Sequence, residues 1–197
     1  MKCSSSKSWL FQVISASLLG LLISGCVSGP SGRYAPALHT QNPPADQVSF
    51  WIGDSIAGSP SVRISLSEQR AYLYKGDLLV GVSLISSGRE EHDTVTGKFR
   101  ILEKDRDHRS SLFGDYVDAN GNVIQKDVDT SKDAKPEGAR YVGAKMPYFM
   151  RIVDGTGMHQ GFLPGYPDSH GCIRMPAFMA AAFFRTVSIG TPVTIER

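Results

Sequence analysis

The feature that most constrains the fold is an alternation of apolar and polar residues that begins at residue 61. In the segment 61–67 (SVRISLS), Val62, Ile64 and Leu66 alternate with polar residues, as in a strand with one buried face. Similar segments, bounded by turn-forming residues, predict further strands at 70–75, 78–85, 98–102, 147–153 and 192–195, and a hairpin over 116–124 that turns at Asn120-Gly121. One helix is predicted over 176–187, because Pro176 suits a first turn and Gly190 follows its end. The sequence therefore predicts a mostly β fold, a sandwich or barrel with one or two short helices.

The N-terminus has the pattern of an export signal. Lys2 and Lys7 precede an apolar run over 9–23, which is too short and too interrupted by serine and glycine for a membrane span. The run ends in Ser24-Gly25-Cys26, which resembles the lipobox of bacterial lipoproteins, although an ordinary cleavage site is the alternative. We expect a signal peptide at 1–25, a lipidated Cys26 with a flexible tether over 26–58, and one folded domain over 59–197. This predicts a lipoprotein that faces the periplasm, on the outer membrane if the host has one.

The charge pattern argues against some partners. Once Lys2 and Lys7 leave with the signal, 19 basic residues balance 19 acidic ones, which gives no indication of nucleic-acid binding. The segment 89–140 is rich in charges of both signs, which favours a solvated face or a mobile excursion over a lid beside an active site. Its Asp118-Ala-Asn-Gly121 stretch weakly resembles a calcium loop, but Tyr116 occupies the first ligand position, so we expect no calcium there.

Cys172 is the one thiol expected in the mature domain, since Cys3 leaves with the signal and Cys26 carries lipid. A thiol with a pKa near 8.5 is mostly protonated at neutral pH, and an imidazole can take its proton and hold a thiolate–imidazolium pair. His159 can reach the sulfur through the loop between them, whereas His170 is too close in sequence to approach it freely. We therefore expect His159 to be the base and His170 to support the site or position substrate. The alternatives are a buried inert thiol with structural histidines, or a zinc site of these three residues, which lacks CxxC spacing.

The neighbours of Cys172 suit acyl transfer. Backbone N–H groups near Gly171 and Cys172 are expected donors to an oxyanion, and the predicted helix could add its positive end. Arg174 offers a planar fork for a carboxylate, although a structural salt bridge would also explain it.

The string Ser169-His-Gly-Cys-Ile-Arg174, with His159-x-Gly161 upstream, resembles the L,D-transpeptidase catalytic domain (the YkuD domain) of bacterial cell-wall enzymes. Weaker similarities are found in 64–74, in 86–88 followed by 94–99, and in 190–193, so that the resemblance covers roughly 60–197. Val95 stands where the family has proline, the spacing from His159 to Cys172 is short, and some members carry asparagine at the position of Arg174.

The resemblance implies that Cys172 attacks the L-to-D peptide bond after the third residue of a peptidoglycan tetrapeptide stem. Terminal D-alanine leaves, and an amine resolves the thioester by 3–3 crosslinking, protein anchoring or D-amino acid exchange. The carbonyl of Gln160 would orient the ring of His159. Four residues, Ser169, Arg174, Gln160 and Gly161, are expected in substrate-binding or supporting positions, with no cofactor or metal. The alternatives are an L,D-carboxypeptidase or other hydrolase acting on the same stems, and a non-catalytic wall-binding lipoprotein. A monomer is expected.

Overall fold

The computed structural model describes residues 46–197, and these residues form a largely β domain. The predicted signal peptide, Cys26 and most of the predicted tether lie outside the described residues. In chain order the elements are β1 (Phe50–Trp51), a 3-10 turn (Gly53–Ser55), β2 (Pro60–Ser65), β3 (Arg70–Lys75), β4 (Leu78–Leu84), β5 (Gly97–Arg100), β6 (Glu103–Asp105), β7 (Arg109–Val117), β8 (Val123–Asp129), β9 (Arg140–Lys145), β10 (Phe149–Val153), β11 (Thr156–Gln160), β12 (Ile173–Met175), α1 (Ala177–Thr186) and β13 (Pro192–Glu196).

The strands form three sheets. The largest has the order β1-β4-β3-β2-β13-β5, the second has the order β12-β11-β10-β6, and the third has the order β8-β7-β9. Most neighbours are antiparallel, but β13 pairs with β2 and β12 pairs with β11 in parallel. A parallel pair needs a longer connection than a hairpin. The connection between β11 and β12 is the loop that carries the cysteine motif.

The hydrophobic core joins the first two sheets and the helix. Val62 and Leu73 of the large sheet, Met158 and Ile173 of the second sheet, and Phe183 of α1 belong to one buried cluster. This cluster explains the alternation that predicted β2 and β3. Val62 and Ile64 of β2 are buried with Arg63 between them only partly covered, and Leu73 of β3 is buried while its neighbour Tyr72 is only partly covered. The fold class, mostly β with one short helix, is confirmed.

Most predicted elements are present, with shifted ends. The helix predicted over 176–187 is α1 with Pro176 as its N-cap, and the hairpin at Asn120-Gly121 joins β7 to β8. The strand predicted over 98–102 is β5, which ends two residues earlier at Arg100, and β6 begins at Glu103 in a different sheet. Within α1, Met179, Ala180 and Phe183 are buried in the core, whereas Phe178 is 52% exposed.

The folded domain begins earlier than the sequence predicts. Phe50–Trp51, within the segment assigned to the tether, pairs with β4, and the indole of Trp51 packs over Gly81. A Cβ at position 81 would lie 2.7 Å from that indole, so the glycine makes room for it. Trp51 also donates a hydrogen bond to Asp54, at 2.8 Å. No helix in residues 46–197 is long and apolar enough to cross a membrane.

The charged segment is largely folded. Its residues from 109 onward form β7 and β8 and begin β9, and the small sheet has its own buried cluster around Tyr116 and Val128. Most residues of β7 and β8 are exposed or partly exposed, which agrees with the solvated face favoured from the sequence. Residues 110–113 of β7 line a cavity that also contains Cys172, so part of the charged segment lies beside this residue; residues 144–146, at the end of β9, line the same cavity.

Candidate active site

Cys172 and His159 lie on neighbouring segments of the second sheet. His159 is on β11, and Cys172 directly precedes β12, which runs parallel to β11 with Met158 opposite Ile173 and His159 opposite Arg174. Both residues line one cavity of about 430 Å³. The loop from β11 to β12 thus returns the thiol to the strand that carries the imidazole.

The sulfur of Cys172 lies above the turn between β10 and β11. Its Sγ is 3.6 Å from the carbonyl oxygen of Gly155, and the N–H of Gly157 points toward it. Burial raises the pKa of the Cys172 thiol, and the Gly157 N–H and the charges of Arg174 and Arg151 offset part of this rise. The unliganded site therefore favours the protonated thiol.

His159 is 6% exposed, and a hydrogen bond fixes its ring. Its Nδ1 is 2.7 Å from the carbonyl oxygen of Gln160. A carbonyl can only accept, so Nδ1 carries the proton and Nε2 has the free lone pair. Burial lowers the pKa of His159 to about 4, the Gln160 hydrogen bond opposes this, and the charges of Arg174 and His108 lower it further. A neutral imidazole with an unprotonated Nε2 is able to accept a proton.

The turn before Cys172 is held by Ser169, which is 1% exposed. Its hydroxyl donates to the carbonyl of Cys172 at 2.5 Å and accepts from the N–H of Gly171 at 3.1 Å. Gly171 has φ +107°, a conformation that favours glycine. Because the Gly171 amide is engaged by Ser169, the amide of Cys172 is the remaining donor of the expected pair for an oxyanion.

The segment 86–89 supports this turn from the other side. Ser86 exchanges two backbone hydrogen bonds with Arg174, each 3.0 Å long. A Cβ at position 88 would lie 1.9 Å from the carbonyl oxygen of His92, so Gly88 is required for this close approach. Thr94 accepts from the Gly88 N–H and donates to the Gly171 carbonyl, at 2.9 and 2.8 Å.

His170 points to a different set of partners from His159. Its Nε2 is 2.7 Å from the guanidinium of Arg89, which can only donate, so this nitrogen is an acceptor. Its ring stacks on Phe113 of β7, with centroids 4.1 Å apart, and meets His92 edge-on at 4.8 Å. Burial and the charge of Arg89 lower the pKa of His170 to about 4. His170 is thus a neutral ring that joins the cysteine turn to the small sheet.

Arg174 forms the salt bridge that the sequence left open as an alternative. Its guanidinium is 2.9 Å from the carboxylate of Asp168, and it also lines the cavity. A Cβ at Gly161 would lie 2.8 Å from the Arg174 side chain, so this glycine allows the arginine stem to pack on the strand end. The helix α1 begins at Ala177, after the three-residue strand β12 and Pro176, and a contribution of its positive end at the sulfur stays a prediction.

One side-chain group in residues 46–197 has metal-ligand chemistry. Oxygen and nitrogen atoms of Glu103, Asp105 and His108 lie within 4.8 Å of one another. Glu103 pairs with Arg151 at 2.6 Å, and Asp105 pairs with His108 at 3.0 Å. These pairings account for the cluster without a cation.

Sequence reasoning missed residues that contact the cysteine turn, among them Arg89, Phe113 and Thr94. Arg89 and Phe113 lie in the charged segment, where nothing in the sequence distinguished them from solvated residues. Thr94 did carry a signal, because it begins one of the weaker stretches that resembled the L,D-transpeptidase domain. Its contact with Gly171 gives that stretch a physical reason.

Known proteins resemble this chain in sequence family and in fold. A family model for the L,D-transpeptidase catalytic domain (YkuD) matches residues 59–195, whereas no curated protein sequence matches the chain. An L,D-transpeptidase from Mycobacterium smegmatis shares 18% identity and a TM-score of 0.53, over 71% of this chain and 59% of that one. L,D-transpeptidase 1 of Mycobacterium tuberculosis shares 18% identity and a TM-score of 0.50, over 71% of this chain and 62% of that one. For L,D-transpeptidase 3 of the same organism the identity is 21% and the TM-score 0.52, over 71% of this chain and 60% of that one.

This chain spans less than two thirds of the length of each of these structures. At such identities the likeness to them is one of fold. The family model, in contrast, matches more than half of the present chain, and its range contains the cysteine turn and the strand that carries His159. The chain therefore belongs to the L,D-transpeptidase catalytic domain family.

Proposed function

We propose that this protein is a cysteine acyltransferase that acts as an L,D-transpeptidase on peptidoglycan stem peptides. The observation that carries the proposal is the shared cavity of Cys172 and His159, together with the Gln160 hydrogen bond that leaves Nε2 of His159 unprotonated. Family membership supports the same activity. In this proposal Cys172 is the nucleophile and His159 is the general base.

The first half-reaction forms a thioester. As Cys172 Sγ attacks the carbonyl carbon of the L-to-D bond, its proton passes to His159 Nε2. The resulting imidazolium then gives that proton to the departing amine of D-alanine, and the C–N bond breaks. In the second half-reaction an amine attacks the thioester, loses a proton to His159 and releases the Cys172 thiol.

The resting site is proposed to hold a neutral thiol and a neutral imidazole. Burial raises the pKa of Cys172 and lowers that of His159, so both shifts oppose the ion pair that the sequence alone suggested. Proton transfer then accompanies attack on the substrate. Substrate carbonyl charge that develops at this moment would be met by the Cys172 amide, with the Gly157 N–H available to the sulfur.

His170, Ser169, Gly171 and Arg174 are proposed to position these groups. Ser169 and Gly171 set the backbone of the turn, His170 ties it to the small sheet, and Arg174 is held by Asp168 at the cavity wall. Gln160 acts through its carbonyl on His159, and Gly161 through the room that it leaves for Arg174.

Acylation by a β-lactam tests the nucleophile. The structure of L,D-transpeptidase 3 from Mycobacterium tuberculosis contains a faropenem-derived adduct, so a penem is a suitable probe here. Intact-mass analysis should find one adduct on the parent and none on Cys172→Ala, and slow acylation of His159→Gln. An adduct on Cys172→Ala would assign the nucleophile elsewhere. Incubation with a purified tetrapeptide muropeptide, with product masses read out, would then separate the acceptors: dimers or exchanged residues indicate transpeptidation, and tripeptides indicate hydrolysis.

We also propose that the protein is an exported lipoprotein, acylated on Cys26 and held at the periplasmic face of a membrane, with the domain acting as a monomer. The support is the sequence pattern of the first 26 residues. Mass spectrometry of the mature N-terminus from the native host should find an acylated Cys26. An unmodified cysteine, or an uncleaved N-terminus, would contradict this. Membrane fractionation then distinguishes the outer from the inner membrane, and sedimentation of the domain tests the monomer.

A further inference from the structure

Two cations face each other on the small sheet at the cavity. Arg109 begins β7 and Lys145 ends β9, and they are direct partners across the antiparallel ladder. Both side chains are exposed and both line the cavity that contains Cys172. Like charges directly opposite each other destabilise a sheet, so this pairing has an energetic cost.

The other two cationic side chains of the cavity wall each form a salt bridge with a carboxylate. Arg151 pairs with Glu103, and Arg174 pairs with Asp168, at 2.6 and 2.9 Å. Arg109 donates only to the carbonyl of Gly143, at 3.1 Å. Within residues 46–197 neither Arg109 nor Lys145 forms a salt bridge, and no aspartate or glutamate lines the cavity. The positive charge at this end of the cavity therefore lacks a counter-charge from the described residues.

The backbone keeps the two cations together. A Cβ at position 143 would lie 2.0 Å from the carbonyl oxygen of Ser110, so Gly143 allows β7 and β9 to approach closely beside the pair. The ladder then shifts register between Arg109 and Gly114. A register shift of this kind is typical of a β-bulge, which bends a strand and re-aims its side chains.

We propose that Arg109 and Lys145 form a subsite for a carboxylate of the peptide substrate. This inference rests on the proposed function, since it assigns the ligand of the same cavity. The guanidinium offers paired donors and the ammonium a point charge, which together suit one carboxylate. A peptide stem offers two sources: its C-terminal carboxylate, and a side-chain carboxylate that is not amidated.

Equilibrium binding separates these sources without requiring turnover. The full chain carrying Cys172→Ala would be titrated by calorimetry with three synthetic tetrapeptides: the parent stem, its C-terminal amide, and its side-chain amide. Amidation of the recognised carboxylate should weaken binding about tenfold, as expected for loss of a charge-assisted contact. The double variant R109Q/K145Q should bind all three peptides equally. The conservative variant R109K/K145R should retain the preference.

Matched controls are available on the same small sheet. Arg140→Gln and Lys126→Gln remove exposed cations of β9 and β8 that do not line the cavity, and both should leave the preference unchanged. Equal affinity of the Cys172→Ala protein for all three peptides, or equal loss in the control variants, would overturn the subsite. Discrimination by carboxylate together with no thioester on the parent enzyme would support the subsite and contradict the proposed function.

Discussion

The phenyl ring of Phe113 stacks on the imidazole of His170, with ring planes inclined by 20°. Phe113 belongs to β7 of the small sheet, whereas His170 lies two residues before Cys172. Since both residues line the cavity, the contact joins the cavity wall formed by the small sheet to the turn that holds the sulfur. Stacking of this kind contributes about 1 kcal/mol beyond the area that it buries. The position of the small sheet is thereby coupled to that of the nucleophile.

Replacing Phe113 with alanine should loosen this wall. We expect the free energy of unfolding to fall by about 2 kcal/mol, and alkylation of Cys172 by a bulky maleimide to become faster, because the variant loses the ring that packs on His170. Urea denaturation measures the change in stability, and alkylation quenched at successive times measures the change in rate. Phe162→Ala is the control, since Phe162 lines the same cavity but is 58% exposed. Equal changes in the two variants would show that the stack does not hold the wall.

Ser169→Ala should damage the cysteine turn through lost hydrogen bonds. The buried hydroxyl bonds to Cys172 and Gly171, so its removal leaves a carbonyl and an amide without that partner. We expect a loss of about 1–3 kcal/mol of stability and slower acylation by a penem. Ser188→Ala, at an exposed serine after the helix, should change neither. Acylation at the parental rate would mean that the turn keeps its shape without Ser169.

The strands and the helix were predictable where local pattern and burial agree. Val62, Ile64 and Leu73 alternate with polar or partly exposed residues because one face of β2 and β3 is buried in the core. Pro176 is the N-cap of the helix, and Gly190 follows its end. Phe50 and Trp51 were not predictable, because a two-residue strand has no period and its pairing with β4 is a long-range contact. The break between Arg100 and Glu103 is similar, since only the tertiary fold assigns β5 and β6 to different sheets.

The residues of the candidate site were likewise only partly predictable from the sequence. Cys172 and His159 could be proposed from the chemistry of a thiol and an imidazole near one another in sequence, and the carbonyl of Gln160 from the resemblance of this motif to the L,D-transpeptidase domain. Arg89 and Phe113 could not, because they reach His170 only through the folding of the charged segment. The salt bridge of Arg174 was one of two open interpretations, and Asp168 decided it by lying close enough to pair.

Gly171→Ala should separate backbone strain from crowding. At φ +107° an alanine is disfavoured, yet its Cβ would lie no closer than 3.7 Å to any neighbour. We expect a stability loss of about 1–2 kcal/mol, with acylation slowed because the turn shifts Cys172. Gly121→Ala is the matched control: it has φ +87° with nothing within 4 Å, at the remote hairpin turn. It should lose similar stability but acylate normally. Slower acylation in both variants would attribute the effect to general destabilisation.

The depressed pKa of His159 predicts a specific loss of stability in mild acid. In the folded protein this pKa is about 4, whereas an unfolded histidine titrates near 6.5. Between these pH values the unfolded chain binds a proton that the folded site does not bind. The free energy of unfolding therefore falls by about 3 kcal/mol as the pH falls from 6.5 to 4. His170 contributes in the same window, but less, because solvent reaches its ring. Urea denaturation at several pH values should therefore find a shallower pH slope for His159→Gln than for the parent. If the two slopes between pH 4.5 and 6.5 were equal, the buried imidazole would not be the neutral base on which catalysis is proposed to depend.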